Sequence, residues 1–295
     1  MKILIIGSEG FIGSNAFRYF SHAGYEVYSA DLVIKQMEKY TTINPDLSDF
    51  SKLFHQQAYD VCLNASGAAN VQISFSHTLV DYTLNTTNVY MILDAIRKYN
   101  PNCKYINISS AAVYGNPQYL PIDENHPIKP LSPYGWHKYY SELICKEFYE
   151  MFNIPTISIR VFSAYGPGLR KQLFWDLYQK ALNSNVIKLF GTGNETRDFI
   201  YIDDLLFAIE RIIKTADFQG QVINVASGQE TSIKNAVTTF LYLFGFKGKY
   251  IFTGQEKVGD PVRWQANIGK LKNLGFNIHI SLEEGLKKYI EWIRE

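Results

Sequence analysis

The chain lacks an excess of either charge. Its 29 Lys and Arg face 28 Asp and Glu, a net charge of +1 over 295 residues. This gives no electrostatic case for nucleic acid or an acidic membrane as a partner. No apolar run approaches the ~20 residues that span a bilayer. The opening "MKILIIGSEG" is apolar but is broken at once by glycine, so it reads as a strand and not as a signal peptide. Cysteine is scarce too. Cys62, Cys103 and Cys145 are odd in number and show no metal-ligand spacing, and two of them fall in apolar runs. They read as packing residues in a reducing cytoplasm, with no metal site expected. No internal repeat or low-complexity segment is visible.

What is present is a soluble globular composition, 46% hydrophobic and 19% charged. The first half alternates between two periods. "KILIIG" is a continuous apolar run, as in a parallel strand buried on both faces, and "FIGSNAFRYFSHAG" follows with helical spacing up to Gly24. "YEVYSAD", "YTTIN", "YDVCLNAS", "CKYINISS" and "IPTISIRVF" read as further strands. "TLVDYTLNTTNVYMILDAIRKYN" reads as one long amphipathic helix, and Pro133 to Phe152 as another. The stretch between the second and third strands is too short and polar for a full crossover helix. The alternation predicts an α/β fold, a doubly wound parallel sheet over residues 1–165. A smaller mixed region over residues 166–295 is expected to cover the carboxyl edge of the sheet, with some elements interleaved. In it "QVINVAS" and "KYIFTG" read as short strands, and Ser281 with Glu284 as a capping box.

Two short stretches carry chemistry. "GSEGFIG" sets Gly7, Gly10 and Gly13 between the first strand and the first helix. Glycine there lets the backbone, through Phe11 and Ile12, turn tightly against a pyrophosphate that faces the helix N-terminus. The spacing is G-x-x-G-x-x-G; a tight βα turn without a ligand is the plainer reading. Asp31 ends the second strand, where a carboxylate accepts from an adenosine ribose and repels a 2′-phosphate. That favours NAD over NADP, with Lys35 near enough to blur the choice. In "PYGWHKYYSEL", Tyr134 and Lys138 stand one helical turn apart. A cation beside a phenol favours the phenolate and would lower its pKa from ~10.

With "DLSD", "LNAS", "SSAAVYG", "RVFSAYGPG", "GTGNETRDFIYIDD" and "VGDPVR" in order, the chain resembles the extended short-chain dehydrogenase/reductases. The closest branch is that of nucleotide-sugar epimerases, dehydratases and 4-ketoreductases. The resemblance implies a catalytic triad of Ser110, Tyr134 and Lys138, with Tyr134 as the proton carrier. It implies adenine contacts at Asp46 and Leu47 and cofactor contacts at Asn64, Ala65 and Ser66. Asn85 would support the active-site backbone. It also implies substrate contacts at Ser163 and a basic pair, Arg197 and Lys257, on the substrate diphosphate, with Arg263 in reserve. Related enzymes dimerise through a four-helix bundle, here residues 86–98 and 139–151, carrying Tyr90, Leu93, Leu143 and Phe148.

The departures narrow the reaction. Where the dehydratases carry an Asp-Glu pair, this chain has Ala111 and Ala112, and the fucose-synthase cysteine is absent at Ala111. Ser163 replaces the asparagine usual in 4-epimerases. The expectation is NAD-dependent hydride transfer at C4 of a nucleotide-diphosphate sugar. A 4-ketoreductase of a 4-keto-6-deoxy sugar nucleotide comes first. A 4-epimerase of the UDP-glucose/UDP-galactose type is the alternative, and a non-catalytic dinucleotide sensor the third reading.

Overall fold

Apolar runs bounded by glycine form the strands of one parallel sheet. The structure, a computed structural model, describes residues 1–43, 50–55, 57–255, 259 and 261–295. The chain begins β1 (Lys2–Ile6), α1 (Phe11–His22), β2 (Glu26–Asp31), β3 (Tyr40–Thr42), α2 (Ser51–His55), β4 (Val61–Asn64), α3 (Val71–Ser76) and α4 (Thr78–Tyr82). A π-helical segment, Thr83–Thr87, leads into α5 (Asn88–Tyr99), followed by β5 (Lys104–Ser110), α6 (Pro133–Phe152) and β6 (Thr156–Val161). Next come β7 (Ser163–Tyr165), α7 (Gln172–Asn183), β8 (Val186–Leu189), β9 (Thr196–Arg197), β10 (Phe199–Tyr201), α8 (Ile202–Thr215) and β11 (Gln219–Val225). The last elements are β12 (Thr231–Ser232), α9 (Ile233–Phe244), β13 (Lys249–Phe252), α10 (Gly269–Asn273) and α11 (Leu282–Arg294).

The main sheet has the order β11-β6-β5-β4-β1-β2-β3, with every pairing parallel. Alternation along β1 divides the core. Ile3 and Ile5 pack into the larger cluster, Leu4 and Ile6 into the smaller one on the other face. The chain builds outward from β1 through β2 and β3, then restarts at β4 on the other side. That reversal opens a crevice at the carboxyl ends of β1 and β4, where doubly wound sheets bind their ligands.

"QVINVAS" forms β11, the edge strand of the main sheet, so residues 166–295 supply a strand to the sheet begun by residues 1–165, as an interleaved element. Two expectations change. The long helix from Thr78 is interrupted by the π segment. Leu93 and Phe148 are core residues at 0% and 1% exposure, whereas Tyr90 and Leu143 stay exposed.

Local signals explain the helix that positions the site. Ser132 caps α6, accepting from the Gly135 N–H at 3.2 Å, Pro133 takes the first turn, and Asn153 closes the helix in the left-handed region. The capping box forms at α11, with Ser281 and Glu284 satisfying one another's backbone N–H groups. All three cysteines are free and buried, and burial pushes each thiol up. No described helix is long and apolar enough to cross a membrane.

Candidate active site

The glycine turn is built for close approach. Gly7 sits at φ +82°, and a Cβ there would lie 2.6 Å from the Ser66 nitrogen. A Cβ at Gly13 would lie 2.0 Å from the Gly7 carbonyl oxygen. Gly10 starts α1 without a side-chain cap, and the first turn carries no acid. The N–H groups after Gly10, through Phe11, Ile12 and Gly13, therefore face the crevice without a competing side chain, and the helix dipole favours an anion there.

Asp31 ends β2 at this crevice. Its carboxylate accepts from the Glu9 N–H at 2.9 Å and the Leu32 N–H at 2.7 Å, which fixes the glycine turn to the strand end. Lys35, the residue that could have recruited a 2′-phosphate, forms an ion pair with Glu9 instead. Asn64 is buried; its side chain accepts from the Ser66 hydroxyl at 2.5 Å and donates to the Tyr105 hydroxyl at 2.8 Å, which holds the loop after β4. The Ala65 and Ser66 backbone packs directly on Gly7. Asn85 lies in the π segment, buried, with neither side-chain polar atom hydrogen-bonded, and a Cβ on Gly67 would meet its oxygen at 2.5 Å. Such segments cluster at functional sites, and a buried amide without a partner is costly unless a bound group completes it. Asp46, Leu47 and Lys257 lie outside the described residues.

The triad is brought together at the carboxyl end of β5. Ser110 is the last residue of β5, and its side chain caps the short turn Ala111–Val113 through the Ala112 N–H at 3.2 Å. A Cβ on Gly135 would lie 2.7 Å from the Ala112 oxygen, so only glycine lets α6 start this close to that turn. The result sets the Tyr134 phenol near the Ser110 hydroxyl. Lys138 is 6% exposed; its Nζ donates to the Ile108 carbonyl at 2.8 Å and lies 6.0 Å from the Tyr134 ring centre.

The electrostatics correct one expectation. Burial pushes the Tyr134 phenol up to about 12; the Ser110 hydrogen bond works against this and the Asp81 charge adds to it. Burial brings Lys138 down to about 8, against the pull of Asp81 and Glu142. The ammonium is therefore anchored on a backbone carbonyl and is itself desolvated. The phenol of this structure is not depressed by it.

On the substrate side, β6 and β7 carry the chain past the end of β5, and Ser163 opens β7 with its N–H on the Asp198 carbonyl at 3.0 Å. Arg197 lies over the Trp264 ring at 5.4 Å and donates to the Thr196 carbonyl at 2.8 Å. Trp264 in turn donates to the Gly115 carbonyl at 3.3 Å, closing the wall beyond Ser110. Arg263, the reserve cation, is held in a fork by Glu230 at 2.8 and 2.9 Å, so its charge is already matched. Gly135 and Trp264 were not among the expected site residues. Gly135 had a signal, since glycine inside a helix costs about 1 kcal/mol and needs a packing reason. Among the described residues no cluster could hold a metal ion.

A family model described as the NAD dependent epimerase/dehydratase family matches residues 3–226, and the chain belongs to that family. The fit is physical as well as statistical: the glycine turn, the uncapped helix start and Asp31 suit a dinucleotide without a 2′-phosphate. A Methanocaldococcus jannaschii protein described as a putative UDP-glucose 4-epimerase is 30% identical over 303 residues, covering 99% of this chain and 98% of its own. A UDP-glucuronate 4-epimerase of Thermodesulfobacterium geofontis is 26% identical, covering 99% and 96%. The solved UDP-glucuronic acid 4-epimerase of Bacillus cereus, in complex with UDP-glucuronic acid and NAD, is 27% identical. It superposes with a TM-score of 0.87 over 100% of this chain and 99% of that one.

Proposed function

We propose that this protein is an NAD-dependent nucleotide-sugar 4-epimerase acting on a UDP-linked hexose or hexuronate. The observation that carries the reading is the pairing of an assembled Ser110–Tyr134–Lys138 site with alanine at 111 and 112. The groups that move a proton at a sugar oxygen are there, while the acid and base that would eliminate water are replaced by methyl groups, and Ala111 is fully buried. The relatives support the epimerase side of the family. NAD, when bound, supplies the hydride acceptor at the sugar carbon. Tyr134 would take the proton from the C4 hydroxyl and return it, a general acid–base role. Ser110 would hydrogen-bond the same oxygen, and Lys138 would hold the nicotinamide ribose and supply positive charge. Arg197 would bind the substrate diphosphate through its guanidinium.

The 4-ketoreductase, expected first from Ser163 and from the compact segment between Asp31 and Asp46, part of which lies outside the described residues, is the second reading. The two differ in net redox. We expect UDP-glucose and UDP-galactose, or UDP-glucuronate and its 4-epimer, to interconvert without added reduced nicotinamide. Stoichiometric consumption of NADH with a 4-keto-6-deoxy sugar nucleotide, and no interconversion, would replace the epimerase by the reductase.

We also infer a homodimer built on α5 and α6. Tyr90, Met91, Leu143 and Met151 remain exposed on these helices, a row of large apolar side chains that a second copy would cover. Light scattering at micromolar concentration should give twice the chain mass, and a monomer mass would refute the pairing.

A further inference from the structure

His137 immediately precedes Lys138 on α6, three residues after Tyr134. It is buried, and its Nδ1 lies 2.6 Å from Asp81 Oδ2. A carboxylate only accepts, so Nδ1 carries the proton and donates. Asp81 belongs to α4, directly before the π segment that holds Asn85. Its other oxygen, Oδ1, is buried with no hydrogen-bond partner among the described residues. Thr86 in that segment donates its hydroxyl to the His137 carbonyl at 3.1 Å, at the very peptide that leads into Lys138. The Tyr82 ring stands edge-on to the imidazole at 5.2 Å. Helix α4 and the π segment are thus fastened to the one turn of α6 that carries both Tyr134 and Lys138.

We propose that Asp81 and His137 are positioning residues for the Tyr134–Lys138 couple: the pair fixes the helical turn that carries both side chains and holds a buried carboxylate near them. The proposal rests on reading Tyr134 as the proton carrier.

Of the charges around the couple, Asp81 acts on both Tyr134 and Lys138, and Glu142 on Lys138 alone. On α6 the other charged group nearby is Glu142, whose carboxylate is matched by Arg160 at 2.7 Å. On α4 the remaining titratable group facing the pair is Tyr82, and α3 (VQISFS) carries no ionisable side chain. On α5 the charges lie at the far end, where Asp94 pairs with Arg97 and Lys98. From β5 the contact is the Ser110 hydroxyl. The Asp81 charge works in the same direction on both members of the couple, raising Tyr134 and raising Lys138. His137 is not sealed off: it lines an open cavity of about 450 Å³ with Phe75, Pro130, Trp136 and Tyr140.

The test compares Asp81→Asn with the double variant Asp81→Asn/His137→Gln, which replaces the carboxylate–imidazole pair by two neutral amides that can still hydrogen-bond and so protects folding. Both are checked for folding by circular dichroism. In both, the two limbs of the pH–rate profile for UDP-sugar interconversion should move to lower pH by about one unit, the size of a single nearby charge. A second readout needs neither substrate nor cofactor: the pH midpoint for acylation of Lys138 by acetic anhydride, read by peptide mass spectrometry, should fall by a similar amount. Folded variants with unmoved limbs and an unmoved Lys138 midpoint would reduce the pair to packing and overturn the proposal. Full turnover in Tyr134→Phe, together with a shifted Lys138 midpoint, would instead overturn the role of Tyr134 and leave the action of Asp81 on Lys138 standing.

Discussion

Tyr134→Phe should lower turnover by about 10²-fold or more while the protein folds and still takes up NAD. The effect follows from what the substitution removes. The Tyr134 ring is buried at 8% exposure, and phenylalanine keeps that ring in place. What disappears is one oxygen, the atom proposed to carry a proton to and from the sugar hydroxyl. A positioned general acid–base is worth about 10²–10⁴ in rate. The glycine turn and Asp31 are untouched, so the loss should fall on kcat and leave cofactor affinity near wild type. Because burial pushes this phenol up to about 12, it is fully protonated at neutral pH before substrate and cofactor arrive, and a rate that rises with pH is the expected signature. Steady-state kinetics on both proteins across a pH series measures this. Turnover close to wild type in the variant would sink the assignment.

The parts of this site that were legible in the sequence are the local ones. A serine before Pro133 and an asparagine after Phe152 bound α6 without reference to anything distant, and Ser281 with Glu284 does the same for α11. The glycine turn was legible because only glycine tolerates the 2.0 Å approach that Gly13 makes to Gly7. What was not legible depends on partners far along the chain. The sequence of β11 says strand, but its place beside β6 is decided by which edge of the sheet is left open. The π segment is invisible because one extra residue in a turn leaves the apolar pattern around Asn85 nearly helical. His137 and Asp81 stand 56 residues apart, and nothing at either position announces the other. The direction of the Tyr134 shift was misread for a related reason. Spacing showed a cation one turn away, but burial decides the sign, and burial is a property of the assembled fold.

Glu142→Ala should destabilise the fold by about 3–5 kcal/mol, the cost of leaving a buried cation without its partner. Glu142 and Arg160 are each 4% exposed. The carboxylate accepts from Arg160 Nε at 2.9 Å and from its NH2 at 2.7 Å, and also from the Ser109 hydroxyl at 2.5 Å. The remaining guanidinium nitrogen donates to the Tyr114 hydroxyl at 2.9 Å, which in turn donates to the Asn224 side-chain oxygen at 2.7 Å. This chain of bonds ties α6 to β5, β6 and β11 behind the triad. Burial works against the Arg160 charge, but the hydrogen bonds and charge of Glu142 outweigh it, so the guanidinium is held more firmly than an ordinary arginine. Removing Glu142 reverses that balance, whereas replacing both partners, as in Glu142→Leu with Arg160→Met, should recover most of the loss. Chemical denaturation at constant slope measures both. The exposed pair Lys146–Glu150 at 3.6 Å is the control, and Lys146→Ala should change stability by less than about 1 kcal/mol. A loss that small in Glu142→Ala would show that the buried network contributes no more than a surface pair. Glu142 also lies one turn beyond Lys138 and raises its hold on a proton. The same variant should therefore bring Lys138 below about 8, so that stability and proton chemistry change together at Glu142 and neither changes at Lys146.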